Sequence, residues 1–477
     1  MSETMEHIVT TELLQEITAD QAWHYCIVPK KSKASVLELF IDSTKNNDAI
    51  KHELEMLLGK NIQLCPISSS ETNKLLAKYY RKTNKRNDNA SFISGNSDDF
   101  LVQLIADAHG TGSSDIHIET FEDKCRIRLR IDGKLTEKYI INKNDYPAIV
   151  NKIKIKSNLD IAEKRLPQDG RIFFNHNGKK FDIRVSVLPT LHGEKIVMRL
   201  LSKDSTDIDI EKLGFDEKQL ADYLEAIKKT HGIVLISGPT GSGKTTTLYG
   251  TLKILNKEDT NLLTIEDPIE YTLDGINQVQ LNEGIGLSFA SALRTFLRQD
   301  PDVIMLGEIR DGETAQMAIR ASLTGHLVFS TIHTNSAWGT ISRLTDMGVP
   351  SYLLSNTLIL TVAQRLIRVL CPHCKQEVPF TPEIFPNRFK TEIQIQSYYQ
   401  AIGCEECYFT GYKGRKAVYE IIPIDGELSE AIKNNRYDIN ELLKIRNIKK
   451  LSESALMYFG DGTTSIEEIY PILVNEL

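Results

Sequence analysis

Long apolar runs are missing from this 477-residue chain. The nearest approach, LLSNTLILTVAQRLIRVL at 353–370, is interrupted by Asn356, Gln364, Arg365 and Arg368. It reads as a buried amphipathic helix rather than a membrane span. The opening residues, MSETMEHIVTTELLQEI, have no basic segment followed by an apolar core, so no signal peptide is expected. A role at a membrane would therefore need a partner that supplies the membrane. Excess positive charge is also missing. The 57 Lys and Arg against 64 Asp and Glu leave a net charge of −7 and a pI near 6.0. That disfavours a general nucleic-acid binder. Cysteine is too sparse for a disulfide framework: there are seven, an odd number. No repeat of fixed period and no long low-complexity tract is found. What remains, 41% apolar and 25% charged residues, is ordinary for a soluble globular protein. The length predicts roughly two to four domains.

Residues 1–83 read as an α+β unit. WHYCIVPKK and SVLELFIDS look like strands, DAIKHELEMLLGK like a helix ending at Gly59, and ETNKLLAKYYRK like a closing helix. A polar, turn-rich linker follows at 84–97. A second α+β unit spans 98–203. It opens with a helix, DFLVQLIADAHG, for which Gly110 is the expected stop. SDIHIET and KCRIRLRIDGKL then alternate as half-buried strands do, with Asp132-Gly133 as a hairpin turn. KKFDIRVSVLPT and GEKIVMRLL are further strands. SKDSTDIDIEKLG (202–214) reads as a second linker. Strands and helices alternate over 204–370, the pattern of a parallel α/β sheet. Residues 371–420 carry paired cysteines, and 421–477 are mostly helical in pattern.

The clearest chemistry lies in GIVLISGPTGSGKTTTLYG (232–250). Ile233 to Ile236 read as a short buried strand. Gly238, Pro239, Thr240, Gly241, Ser242, Gly243, Lys244 and Thr245, followed by Thr246, then fit the phosphate-loop pattern at every required position. Glycines let the backbone curl so that its N–H groups point at phosphate oxygens. The helix starting near Lys244 adds its positive end. Lys244 is expected to reach the β- and γ-phosphates of ATP, and the Thr245 hydroxyl to hold Mg²⁺.

Downstream, NLLTIEDPIEY places Glu266, Asp267 and Glu270 just after an apolar strand. Acids there can hold Mg²⁺ waters or orient an attacking water; equally, they can form an acidic loop turned by Pro268. In DPDVIMLGEIRDGETA, Glu308 follows the strand Val303 to Leu306 behind Gly307, where a carboxylate can polarise the nucleophilic water. His326 and His333 frame the strand LVFSTI. They read either as core or capping residues or as sensors of the γ-phosphate. Arginine suits the spread charge of a transferring phosphoryl group. Arg294 and Arg298 share one helix face, and Arg184 and Arg199 lie on strands of the second unit. Solvated surface arginines are the bland alternative.

CPHC (371–374) and CEEC (404–407) are separated by 29 residues. Cys371, Cys374, Cys404 and Cys407 can occupy the four corners of a closed Zn²⁺ site, with a looped-out segment between the pairs. A redox pair is the weaker alternative. His373 reads as exposed and not a ligand.

Taken together, the chain resembles the cytoplasmic ATPases of type II secretion and type IV pilus assembly (the GspE/PulE/PilB type). The resemblance rests on SDIHIE, RIDG, NLDIAEKRLPQDGRI, DIRVSVLPT, GEKIVMRLL, GPTGSGKTTTLY, TIEDPIE, LRQDPDVIMLGEIRD, TGHLVFSTIHTN, the cysteine pairs and GYKGRKAVYE, over about 98 to 422. It implies a RecA-like phosphate-loop core preceded by a PAS-like α+β domain, with a zinc-binding insertion and a helical C-terminus. It also implies a homo-hexameric ring that turns over ATP and drives an inner-membrane platform protein, docked through a membrane-anchored recruitment protein. By the same resemblance, Lys244 and Thr245 match the Walker A motif and Glu308 the Walker B glutamate. Glu266 and Glu270 match the aspartate box, and His326 and His333 the histidine box. Arg184, Arg199, Arg294 and Arg298 match phosphate-sensing arginines. Retraction-type relatives lack the cysteine module, which favours secretion or assembly. Type II secretion is the first expectation and type IV pilus extension the second. A nucleic-acid translocase is the rival from another class. The N-terminal unit departs most from the family, and the repeated glycine-leucine pattern of relatives that bind cyclic di-GMP is not seen there.

Overall fold

A computed structural model describes residues 13–475, apart from 14–15, 34–35, 46–47, 81–96, 177–178, 203–207, 387–388, 392, 394 and 437. All but one residue of the linker expected at 84–97 lies outside these. No helix among the described residues is long and apolar enough to cross a membrane.

The N-terminal unit is a three-stranded sheet, β1 (Ile27–Lys33), β2 (Val36–Asp42) and β3 (Asn61–Ile67). The β1–β2 pair is antiparallel, and the helix Asp48–Leu58 crosses over to make β3 parallel to β2. Leu37, Leu39 and Ile41, spaced by two, form its core with Leu54. The strand expected from Trp23 begins only at Ile27. Thr18 and Gln21 form a reciprocal capping box, so Ala19–Tyr25 is a helix, ended by Cys26 at φ 53°.

The second unit is a six-stranded antiparallel sheet of β4 (Ser113–Thr120), β5 (Cys125–Ile131), β6 (Lys134–Ile141), β7 (Gln168–His176), β8 (Lys179–Thr190) and β9 (Gly193–Ser202). Its order is β6-β5-β4-β9-β8-β7. Alternation works as expected: Ile116, Ile118, Ile127 and Leu129 face the helices Ser97–Gly110 and Tyr146–Lys156, while charged residues take the other face. Asp132 (φ 47°) and Gly133 (φ 83°) make the hairpin turn. The first helix runs through Gly110, and the left-handed residue comes two positions later, at Gly112.

A seven-stranded sheet organises the rest: β10 (Gly232–Ser237), β11 (Leu262–Glu266), β12 (Asn277–Gln280), β13 (Val303–Leu306), β14 (Leu327–Ile332), β15 (Leu358–Leu370) and, past a small β16 (Gln376–Pro379)–β17 (Ser397–Gln400) ladder, β18 (Tyr412–Pro423). The order is β12-β11-β13-β14-β10-β15-β18, parallel except for β18 against β15. The expected helix at 353–370 is therefore corrected. Only Ser351–Thr357 is helical, and Leu358–Leu370 is a 13-residue strand. An apolar run buried on both faces has no helical or strand period of its own, and here pairing with the distant 412–423 decides. That strand lies beyond residue 370, so the sheet takes in sequence from both sides of the cysteine module. The C-terminal helices Gly426–Lys433, Asn440–Ile445, Leu451–Gly460 and Ile466–Val474 bury Leu428, Leu443, Phe459 and Ile469 in the same core as β10, β11, β13 and β14.

Candidate active site

In an open parallel sheet the strand C-termini form the ligand crevice. The phosphate loop leaves β10 there. Gly238, Gly241 and Gly243 all have positive φ, at 151°, 79° and 89°. At Gly238 the demand is also steric, because a Cβ would lie 2.5 Å from the Gln364 carbonyl. The helix Lys244–Leu255 starts directly after Gly243, with Thr245 and Thr246 exposed on its first turn. Pro239, Thr240 and Gly241 are exposed, while Ser242 is buried with its hydroxyl unpartnered. Lys244 Nζ donates to the carbonyls of Gly238 (2.7 Å) and Pro239 (3.0 Å). Burial pushes its amine down to about 8; Glu308 pulls the other way and Arg365 adds to the depression. This is the arrangement of loop, helix terminus, lysine and hydroxyl that a nucleotide triphosphate with Mg²⁺ requires.

Glu308 and His333 meet in the crevice. Glu308 follows β13 and His333 follows β14, with Glu308 Oε2 3.2 Å from His333 Nε2. Arg310, which motif spacing missed, pairs with the same carboxylate and reaches Asp267 Oδ2 at 3.2 Å. Its signal was available: in GEIRD, residues two apart on an extended segment share a side.

Glu266 is buried behind the crevice. Its oxygens accept from Thr264 Oγ1 (2.7 Å), Gln278 Nε2 (3.0 Å) and the Tyr249 hydroxyl. The Tyr249 hydroxyl in turn accepts from the Glu270 N–H at 3.3 Å. Glu270 faces the second unit: Arg184 donates to the Ile269 carbonyl and stands 3.4 Å from Glu270 Oε2. A cleft of about 840 Å³ opens at this junction, lined by Arg171, Arg184, Lys253, Glu270 and Tyr271. It meets the far end of the phosphate-loop helix, not its N-terminus.

Four expected residues stand elsewhere within this chain. Arg199 donates to Asp115 at 3.0 Å on its own sheet. Arg294 pairs with Glu313, and Arg298 donates to the Arg294 carbonyl at 3.0 Å. His326 sits before β14, at the opposite end of a six-residue strand from His333, roughly 20 Å away. Its ring lies 2.8 Å from the Ala321 carbonyl, as a capping residue would.

The four cysteine Sγ atoms all lie within 4.8 Å of one another. Cys371–Cys404 and Cys374–Cys407 are 3.8 Å apart and Cys404–Cys407 3.7 Å. A tetrahedron with Zn–S bonds of about 2.3 Å has edges of about 3.8 Å, so the cluster fits one Zn²⁺. Backbone N–H groups of Gly403, Cys404 and Gly411 point at Sγ atoms at 3.2–3.3 Å, which favours thiolates. His373 is exposed.

Residues 94–471 match the family model described as "Type II/IV secretion system protein". The type IV pilus assembly ATPase PilB of Myxococcus xanthus is 41% identical, over 97% of this chain and 86% of its own. The type II secretion system ATPase E of Vibrio cholerae is also 41% identical, over 87% of this chain and 88% of its own. Among solved structures, the pilus retraction motor PilT with bound ADP matches with a TM-score of 0.53 and 26% identity, over 78% of this chain and 96% of that one. With the phosphate loop and Glu308 in one crevice, the chain belongs to the type II/IV secretion system protein family and is an ATPase that uses ATP with Mg²⁺.

Proposed function

We propose that this ATPase hydrolyses ATP to ADP and phosphate to power type II protein secretion. The observation that carries this reading is the crevice, where Lys244 and Thr245 of the phosphate loop stand near Glu308 and its partner His333, while the second unit packs through Arg184 on the acidic loop that follows β11. Lys244 holds the β- and γ-phosphates and Thr245 the metal. Glu308 accepts the proton of the attacking water, and His333 fixes the carboxylate that does so. Glu266, locked to Tyr249 and Gln278, sets the acidic loop that presents Glu270 to Arg184. Arg199, Arg294, Arg298 and His326 act, in this reading, where neighbouring copies meet in a homo-hexameric ring. The four cysteines hold a structural Zn²⁺. The chain works in the cytoplasm as units at 1–83, 98–203 and 204–370 with the zinc module and helical tail. Its ring drives an inner-membrane platform protein that extrudes pseudopilin subunits, and a membrane-anchored protein recruits it through the N-terminal unit. Type IV pilus assembly is the second reading, favoured by the PilB similarity that runs over 97% of the chain.

Lys244→Ala in the source cell tests both. Loss of secreted proteins with surface fibres intact supports secretion. Loss of fibres with secretion intact supports pilus assembly. DNA-stimulated turnover of the purified parent would point instead to a translocase.

A further inference from the structure

We infer that Arg365 is a second fixed cation for the triphosphate, working beside Lys244 from the strand next to the phosphate loop. The inference rests on the phosphate-binding reading of that loop. β15 lies parallel to β10 with Ala363 opposite Ser237, which carries Gln364 and Arg365 alongside Gly238 and Pro239. Gln364 backs the loop. Its carbonyl occupies the space a Cβ on Gly238 would need, and its amide nitrogen lies 2.9 Å from where a Cβ on Gly243 would stand. Its Oε1 accepts from Thr247 Oγ1 at 3.0 Å, so loop, helix and strand are held in one register.

Arg365 lies against the start of the loop, at the edge of a cavity it lines with Asn335, Ser336 and Glu420. Its Nη1 donates to the Gln364 carbonyl (3.0 Å) and its Nη2 to the Asn335 carbonyl (3.1 Å), two residues past His333. Nη1 is also 3.2 Å from the Cβ position of Gly238. Both of these hydrogen bonds go to neutral oxygens. Glu420, the acid whose field reaches it, is already engaged by the N–H groups of Ala337 and Leu451. Among the described residues, Lys244 likewise bonds only to loop carbonyls. Two partly buried cations thus flank one loop of backbone N–H groups, and their mutual repulsion is relieved by a polyanion between them. A planar guanidinium with unused N–H groups suits phosphate oxygens.

The test measures ATP, ADP and AMP affinity of the full chain by calorimetry, for the parent, Arg365→Met, Arg365→Lys and Lys244→Ala. Arg365→Met should weaken ATP by roughly tenfold or more, ADP less and AMP least. Arg365→Lys, which keeps the charge and loses the fork, should fall between Met and parent. A loss equal for all three nucleotides, or a lower melting temperature with the ATP:ADP ratio unchanged, would make Arg365 a brace and overturn the inference. If Arg365→Met does not fold, an Arg365→Lys protein matching the parent for every nucleotide overturns it. Should Lys244→Ala also bind like the parent, the phosphate-loop reading fails. Should only Lys244→Ala lose affinity, the Arg365 inference fails alone.

Discussion

The outer face of the second unit's sheet and the crevice of the ATPase sheet both concentrate charge, and they differ at the cations beside the phosphate loop. On the first, Glu119 collects Arg126 (2.9 Å), Arg128 (2.7 Å) and Lys195 (3.2 Å), and Asp115 collects Arg199 and Arg130. Burial works against the Glu119 carboxylate, but those cations hold it down at about 2. The crevice pairs Arg310 with Glu308 and Asp267 in the same manner, but the two cations against its phosphate loop, Lys244 and Arg365, bond to carbonyls instead. Charge cancelled in place fixes a surface. Charge held against neutral oxygens is free to meet a ligand. Arg184 is the link, an arginine of the first region whose partners are Ile269 and Glu270 of the second.

The comparison breaks most decisively on its carboxylates. Glu308→Gln should lower turnover by roughly 10²–10⁴ while ATP binding and the unfolding midpoint stay near the parent's. Glu119→Gln should do the reverse. Leaving three cations around a neutral amide should cost about 3–5 kcal/mol of stability, read by chemical denaturation, with turnover of the folded fraction changed far less. If Glu119→Gln cut turnover like Glu308→Gln at unchanged stability, the division between the two regions would be wrong.

A smaller effect should appear where the regions touch. A double-mutant cycle on Arg184→Ala and Glu270→Ala, scored on turnover, should show a coupling of about 0.5–3 kcal/mol. The same cycle with Arg199→Ala in place of Arg184→Ala should be additive within about 0.5 kcal/mol, because Arg199 pairs with Asp115 and shares no partner with Glu270. Additivity in both cycles would mean the Arg184 contact carries no functional coupling.

How much of this could be read from sequence follows the range of the interactions. The phosphate loop, Glu308 and the cysteine pairs are local patterns, and each lies where its spacing pointed. The alternation of β4 and β5 and the Asp132-Gly133 turn are equally local. The strand at 358–370 was missed because its identity depends on pairing with residues some 50 positions away. Arg365 and Gln364 were hidden with it, since their place beside the loop exists only once β15 is a strand. His326 and His333 look alike in sequence, yet a strand has two ends, and only His333 is at the one that opens on the loop. Arg310 needs nothing long-range, since it stands two residues from Glu308 on an extended segment.

The gentlest test uses pH. On the second unit's sheet, Glu119 is held down at about 2 by its cations and stays ionised from pH 7 to 9, so that cluster should not respond. Lys244 is different, because burial has brought its amine down to about 8 in the free protein. The triphosphate favours the charged amine and raises that value on binding. Below pH 8 the amine is already protonated and affinity should be flat. Above pH 8 binding must take up a proton, and affinity should fall by about tenfold between pH 7 and pH 9. Calorimetry in two buffers of different ionisation enthalpy should find close to one proton taken up per ATP at pH 9 and almost none at pH 7. In Lys244→Met the residual binding should lose this uptake, whereas Glu119→Gln should keep it. Uptake persisting without Lys244 would mean that another crevice group titrates in its place.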